Sequence, residues 1–431
     1  MPLLALLFPF QVAGAVPAAP PAPSATAAET LTLDEAVDTA LRHHPDVVVA
    51  RAGTQIARAG ARQSRAGLLP QVGVSGRYGY EWRERSGDSA LGEGGSDSYS
   101  ASASAGLLLW DFGQTRNRWR SALAATDAAD QDAETTRQAV VLNARLAYLD
   151  AAETRDLIQV ARDTLDNQAK HLSQTEEFVK LGTRPEIDLA KLRTQVAQAR
   201  SALTRAENDH RTAKARLNRA MGVSGSIEYE VAPVALPAVS EENQTTAQLY
   251  QSSRRSERAS QVASIRGQEY DVNAAKWWLL PSLRLGADAG YSGSDFADPT
   301  FSSSVGVTLS WTLFDGLASP AAVDSARAQL VIEQARLSSV DQQVWEELEE
   351  ARIAVASARA ELVSAESAVE SARELRRMAE ERYGAGVGSS LELADAELEL
   401  ANASAQRIRV EFDIAAARAQ LLRALGRRDW R

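Results

Sequence analysis

Phe301-Ser302-Ser303-Ser304-Val305-Gly306-Val307-Thr308-Leu309-Ser310-Trp311 sets large apolar side chains against small polar ones along most of its length. A period of two is that of a β-strand, so one face is apolar and the other Ser, Gly and Thr. The pattern occurs three more times. Val72, Val74, Tyr78, Tyr80 and Trp82 alternate with Gly73, Ser75, Arg77 and Gly79. Tyr99, Ala101, Ala103, Ala105, Leu107 and Leu109 alternate with Ser100, Ser102, Ser104 and Gly106. Leu283, Leu285, Ala287, Ala289 and Tyr291 alternate with Ser282, Arg284, Gly286 and Asp288. Alternation alone suits a half-buried soluble sheet as well as a membrane strand. Aromatic residues near the segment ends favour lipid, because their rings suit the headgroup level. Tyr80, Trp82, Trp110, Tyr291, Phe301 and Trp311 are the expected interface anchors, with core packing as the alternative. Polar stretches 87–98 and 293–300 are the expected outer loops.

Four strands cannot close a transmembrane barrel, since the smallest have about eight, and an open edge in lipid leaves backbone groups unpaired. Other copies of the chain are therefore expected to complete the sheet. Two copies would give a bore filled by side chains, and three a bore wide enough for water. The small inward side chains favour three.

The strands sit inside a repeat. Leu68-Leu69-Pro70, Trp110-Asp111-Phe112-Gly113, Leu181-Gly182-Thr183 and Ala220-Met221-Gly222 recur as Leu279-Leu280-Pro281, Leu313-Phe314-Asp315-Gly316, Ala385-Gly386-Val387 and Ala424-Leu425-Gly426. The expected organisation is a leader and spacer over 1–28, a first repeat over 29–222, a linker over 223–246, a second repeat over 247–426 and a tail over 427–431. Each repeat reads helix, two strands, long helix, tight turn, returning helix. Residues 114–181 and 321–383 contain neither Gly nor Pro, so each run could form a helix roughly 95–100 Å long. Apolar residues step by seven along them, at Ile158, Leu165, Leu172 and Val179, and at Leu348, Val355, Leu362 and Val369. Ala351, Ala358, Ala365 and Ala372 continue the neighbouring line. A seven-residue period keeps one seam facing a partner helix, and alanine allows close approach. Returning helices are expected over 185–221 and 389–425, and earlier helices over 33–69, opened by Asp34 and interrupted near Pro45, and over 247–280. Long helices alone would fit a periplasmic coiled-coil tether without a pore; strands that need lipid favour a duct.

Composition narrows the function. The net charge of −10, with acidic and basic residues interspersed, argues against nucleic acid or an anionic lipid surface as a partner. There is no cysteine, which excludes disulfides, thiolate chemistry and a lipid-modified cysteine anchor. Residues 3–10 form an apolar core followed by Ala13-Gly14-Ala15 and a Pro/Ala spacer, as in an export signal, with a disordered tail as the alternative. No Lys or Arg precedes that core, which fits a start upstream of Met1. His43, His44, His171 and His210 are scattered without a carboxylate cluster at ligand spacing, and no phosphate loop, nucleophile elbow or acid–base pair is present, so no catalytic, cofactor or metal residue is expected.

The chain resembles the TolC family of outer-membrane efflux proteins across about residues 30–426. The resemblance rests on Leu31-Thr32-Leu33-Asp34-Glu35-Ala36 with Ala40-Leu41 and Pro45, the Leu-Leu-Pro before a strand, Trp110-Asp111-Phe112-Gly113, and Arg382-Tyr383-Gly384-Ala385-Gly386 running into Leu391-Glu392-Leu393-Ala394-Asp395. It implies a mixed α and β fold: a homotrimer with a twelve-stranded barrel in the outer membrane of a Gram-negative bacterium and a helical barrel in the periplasm. It also implies a passive exit for drug efflux or type I secretion, served by a periplasmic adaptor and an inner-membrane transporter. The turns Leu181-Gly182-Thr183 and Ala385-Gly386-Val387 match the family's adaptor-docking tips. Glu392 and Asp395 match the lining of the narrow periplasmic entrance, and Asp188 and Tyr383 a polar lock that holds it shut. The family carries a basic residue where Gly388 stands here, so part of the lock is either absent or moved to Arg184. The glycines also read simply as turn formers, and the acids as residues favouring a helix N-terminus. Drug, metal and polypeptide cargo remain alternatives.

Overall fold

The computed structural model describes residues 29–83, 94–225, 229–234, 239–294 and 298–427. The expected leader, most of the outer loop at 87–98, parts of the linker and most of the tail lie outside them. In chain order the elements are β1 (Glu29–Leu31), α1 (Leu33–His43), α2 (Pro45–Ala66), β2 (Gln71–Arg83), β3 (Gly94–Trp110), α3 (Gln114–Lys180) and α4 (Glu186–Met221), then β4 (Tyr229–Val231), α5 (Thr246–Ser252), α6 (Ser256–Lys276), β5 (Ser282–Gly293), β6 (Thr300–Ser310), α7 (Ala318–Gly384) and α8 (Ser390–Ala424). A 3-10 turn, Trp277–Leu279, joins α6 to β5. Among the described residues no helix is long and apolar enough to cross a membrane.

The four long strands form one antiparallel sheet in the order β2-β3-β5-β6. Register keeps the two faces separate across all of them. Val72 pairs with Ala105, Ala105 with Ala287 and Ala287 with Val305, while Ser104 lies beside Gly73 and Asp288. Each apolar set therefore falls on one surface, and the hydroxyl-rich set on the other. A bulge at Leu108/Trp110 turns the end of β3. The strands overrun the expected segments: β2 reaches Arg83, and β3 begins at Gly94, inside the stretch expected to be loop. Strands β2 and β6 are the edges, each with a neighbour on one side only within the chain. Sequential antiparallel pairing points those edges in opposite directions, as closure by another copy requires.

Helices α3 and α7 are each 67 residues, about 100 Å long. Both lack an internal Gly or Pro that would break the hydrogen-bond ladder over 114–180 and 321–383. Along α7 the seven-residue seam is buried at Leu348, Val355 and Val369 and half-buried at Leu362, with Ala351, Ala358, Ala365 and Ala372 buried beside it. On α3 the seam at Ile158, Leu165, Leu172 and Val179 is only half-buried. The fully enclosed line there is polar, at Gln168 and Thr175. The first helix opens at Thr32 rather than Asp34: Thr32 Oγ1 accepts from the Glu35 amide, and the Glu35 carboxylate accepts from the Thr32 amide. It stops at His43 because Pro45 disfavours a helical residue before it. The single helix expected over 247–280 is instead α5, α6 and the 3-10 turn, since Ser253 is extended and ends α5.

Strands β1 and β4, which the sequence did not mark, pair in parallel. Tyr148 on α3 is buried beneath them and donates to the carbonyls of Leu31 and Ala232. A second cluster packs Leu249 against Leu348, Val355 and Leu421. Buried Arg255 meets Glu347 at 2.7 Å and donates to the Ala424 carbonyl, fixing the end of α8 to α6 and α7. Arg255 also pairs with Glu257 at 3.0 Å and Glu347 with Arg423 at 3.2 Å, so the buried guanidinium sits in a network of charges.

Candidate functional site at the helical tips

The two helical hairpins end in matching turns. At the first, the Gly182 amide donates to Val179 O and the Thr183 amide to Phe178 O, each at 3.0 Å. Gly182 has φ +73° and Gly386 φ +77°, conformations that glycine adopts without steric cost. At the second turn the amides of Val387 and Gly388 both donate to Arg382 O. These bonds satisfy the last carbonyls of α3 and α7. Ser389 Oγ caps α8 by accepting from the Glu392 amide at 3.0 Å. The caps leave Leu181 and Val387 75% and 70% exposed at the extreme end, with Thr183, Ala385 and Gly386 exposed beside them. Ile187 and Leu391 widen this apolar patch, and nothing in their periodicity marks them.

Side chains lock the two turns together. The Arg184 guanidinium stacks 4.7 Å from the Tyr383 ring centroid and donates to Gly388 O at 3.3 Å. Ser390 Oγ donates to Asp188 Oδ1 at 3.0 Å. Tyr383 is buried, not exposed to a lumen, and its hydroxyl lies 2.8 Å from Thr175 Oγ1, which is itself enclosed. Gly388 explains the missing basic side chain. A Cβ there would stand 2.8 Å from Tyr383 N and 2.9 Å from the Arg382 carbonyl carbon, so this turn excludes any side chain. Arg184 supplies the cation beside Tyr383 from the other hairpin.

About two turns higher, Glu397 on α8 is enclosed against α3. His171 Nε2 lies 2.5 Å from Glu397 Oε1, and Gln168 Nε2 donates to Glu397 Oε2 at 2.7 Å. The hydrogen bond to Glu397 raises the His171 pKa, against the opposing effect of burial. Gln168, His171, Leu192, Tyr383, Ser390 and Glu397 line a small cleft here. Polar residues in a helical stripe read as solvent-facing, so only the fold shows that they meet.

Glu392 and Asp395 are exposed on one face of α8, three residues apart. Glu392 is ion-paired to Arg382 Nε at 3.0 Å. Among the described residues no His, Asp or Glu group could hold a metal ion. On the sheet, Tyr80, Trp82, Trp110, Tyr291, Phe301 and Trp311 are all exposed on the single chain. Tyr80, Trp82, Tyr291 and Phe301 stand toward the loop ends of their strands, and Trp110 and Trp311 toward the helices.

A sheet with one largely apolar face, continuous with helices of 67 residues, defines a membrane channel protein with a long extramembrane extension. The family model for outer membrane efflux proteins matches residues 36–223 and 246–427, and the chain belongs to that family. It is 24% identical over 418 residues to the outer membrane efflux protein BepC of Brucella suis, covering 93% of this chain and 86% of BepC. It is 25% identical over 405 residues to the toluene efflux pump outer membrane protein TtgC of Pseudomonas putida, covering 91% and 82%. The CmeC outer membrane channel of Campylobacter jejuni shares the fold, with a TM-score of 0.80 at 17% identity over 91% of this chain and 85% of that one. The protein is an efflux channel of the outer membrane, TolC-like in fold.

Proposed function

We propose that three copies close a twelve-stranded barrel whose hydroxyl-lined bore continues into a helical duct, a passive exit that performs no catalysis. The observation that carries this reading is the sheet itself: four strands with an apolar outer face and two open edges. Small inner residues such as Ser75, Ser102, Ser104 and Ser304 support a water-filled bore. The chain divides into a leader over 1–28, repeats over 29–222 and 247–426 joined by 223–246, and a tail over 427–431. Leu181, Gly182, Thr183, Ala385, Gly386 and Val387 dock a periplasmic adaptor, which links the duct to an inner-membrane transporter. Glu392 and Asp395 line the entrance, and Asp188 and Tyr383, joined by Arg184, hold neighbouring hairpins in the closed arrangement. Cargo is a small organic compound, as the toluene in the name of one efflux relative suggests; the match to an alkaline protease secretion protein of Pseudomonas aeruginosa, 26% identical over 194 residues, supports polypeptide cargo as the second reading. Planar-bilayer recording tests the duct. The purified protein should conduct ions with no energy source, and Asp188→Ala should raise its resting conductance. An electrically silent protein with intact strands would overturn the reading.

A further inference from the structure

The two turns that lead from sheet to helix carry apolar side chains where the backbone asks for none. In the first, Phe112 and Gly113 are consecutive left-handed residues, at φ +55° and +85°. In the second, Gly316 and Leu317 are, at φ +70° and +73°. Phe112 and Leu317 are the only non-glycine residues with positive φ among the described residues, and both are large and exposed. Glycine would hold either conformation without strain. Capping does not call for these side chains either. Asp111 accepts from the amides of Gly113 and Thr115, and Asp315 from the amide of Ser319. Leu317 occupies the N-cap of α7, a position that favours small polar residues or glycine. Strained residues kept against local preference mark a function.

Their surroundings say what covers them. Leu313, Phe314 and Leu317 are exposed, Phe314 by 76%, and they continue directly from Trp311 on the apolar face of β6. Phe112 packs edge-on against Trp110 at the matching end of β3. Trp277 and Leu279 add apolar surface at the start of β5. Behind the first turn, α2 ends with Arg62 and Arg65, and α3 begins with Arg116, Arg118 and Arg120, all within about two helical turns, a local basic cluster in a chain acidic overall; behind the second, α7 begins with the Asp324–Arg327 pair. An apolar band backed by arginines fits an anionic phospholipid leaflet, with acyl chains against the collar and phosphates against the guanidiniums.

We propose that the strand-to-helix turns form a lipid-seated collar, in which Phe112, Leu313, Phe314 and Leu317 dip into the periplasmic leaflet of the outer membrane below the last barrel hydrogen bonds. The interfacial zone of the periplasmic leaflet then reaches past the tryptophan row, which ends the apolar band, to the first helical turn. This rests on the barrel reading above, and one experiment separates the two. The chain has no cysteine, so Phe314→Cys, Leu317→Cys, Val305→Cys and Thr308→Cys each take one nitroxide label per copy. In phosphatidylethanolamine–phosphatidylglycerol liposomes, labels at 305, 314 and 317 should collide readily with oxygen and be several-fold shielded from a water-soluble nickel chelate, relative to 308. Chelate access at both 314 and 317 with a shielded 305 would overturn the collar and leave the barrel standing. Chelate access at 305 would overturn the barrel itself. Shielding of 314 and 317 from both quenchers would place a second copy over the turns, and overturn the lipid assignment.

Discussion

An arginine on either side of β6 tests the direction of the sheet. Val305 is 79% exposed on the apolar face, in the row Val72–Ala105–Ala287–Val305. Thr308, three residues on, lies opposite Arg284 on the other face. Phe301 and Trp311 bracket the strand. At about 3.3 Å per residue and a tilt of about 40°, they span roughly 25 Å, the height of an outer-membrane apolar band. Val305 then falls within about 3 Å of the midplane. An arginine at that depth costs about 2–4 kcal/mol per copy. At about 1.4 kcal/mol per tenfold, the lower figure alone shifts insertion about thirtyfold. Val305→Arg should therefore assemble poorly when the protein is refolded from urea into liposomes and the protease-protected trimer is counted. Thr308→Arg, its side chain in water, should assemble within a few-fold of the parent. Equal losses at the two positions would refute the assignment of faces.

Gly182→Trp and Gly386→Trp should abolish efflux in cells while trimers remain in the membrane, because a Cβ there meets nothing within 4 Å and the cost is confined to the strained φ of +73° and +77° in an exposed turn; loss of trimer would show a folding role only. With Glu392 paired to Arg382, Asp395→Ala should relieve multivalent-cation block in planar bilayers more than Glu392→Ala does, with trimer yield unchanged for both. Tyr383→Phe should loosen the tip by about 1 kcal/mol through loss of the Thr175 hydrogen bond, read as faster hydrogen exchange over residues 168–183. The raised pKa of His171 makes its bridge to Glu397 fully present below pH 6.5 and lost as pH rises through the higher folded value, so tip exchange should quicken from pH 6 to pH 9 and His171→Gln should flatten that dependence.

Strong periodicity made the membrane sheet and the long helices legible. Val305, Val307 and Leu309 alternate with polar neighbours, and the α7 seam repeats every seven residues, so local chemistry alone fixed both. The β1–β4 pair escaped because three-residue strands have no period, and their pairing joins Glu29 to Tyr229 across most of the first half of the chain. The placing of β3 beside β5 was hidden because alternation assigns faces and not neighbours. At the tip, Gly182 and Gly386 announced their turns, and the vacancy at Gly388 pointed toward Arg184. Gln168, His171, Thr175 and Glu397 gave no signal, because a polar residue in a helical stripe looks solvated until its partner helix is in place. The apolar residues of the strand-to-helix turns, Phe112 and Leu317, look like ordinary neighbours of a motif; only their left-handed backbone marks them.

On the proposed reading this chain completes its barrel with copies of itself. Mass measurement of the protein in lipid nanodiscs, with strand content followed by circular dichroism, tests it most directly. Three chains per particle are expected, because β2 and β6 each leave an edge that must be paired in lipid. A single chain of 46.3 kDa with its strands intact would contradict the account.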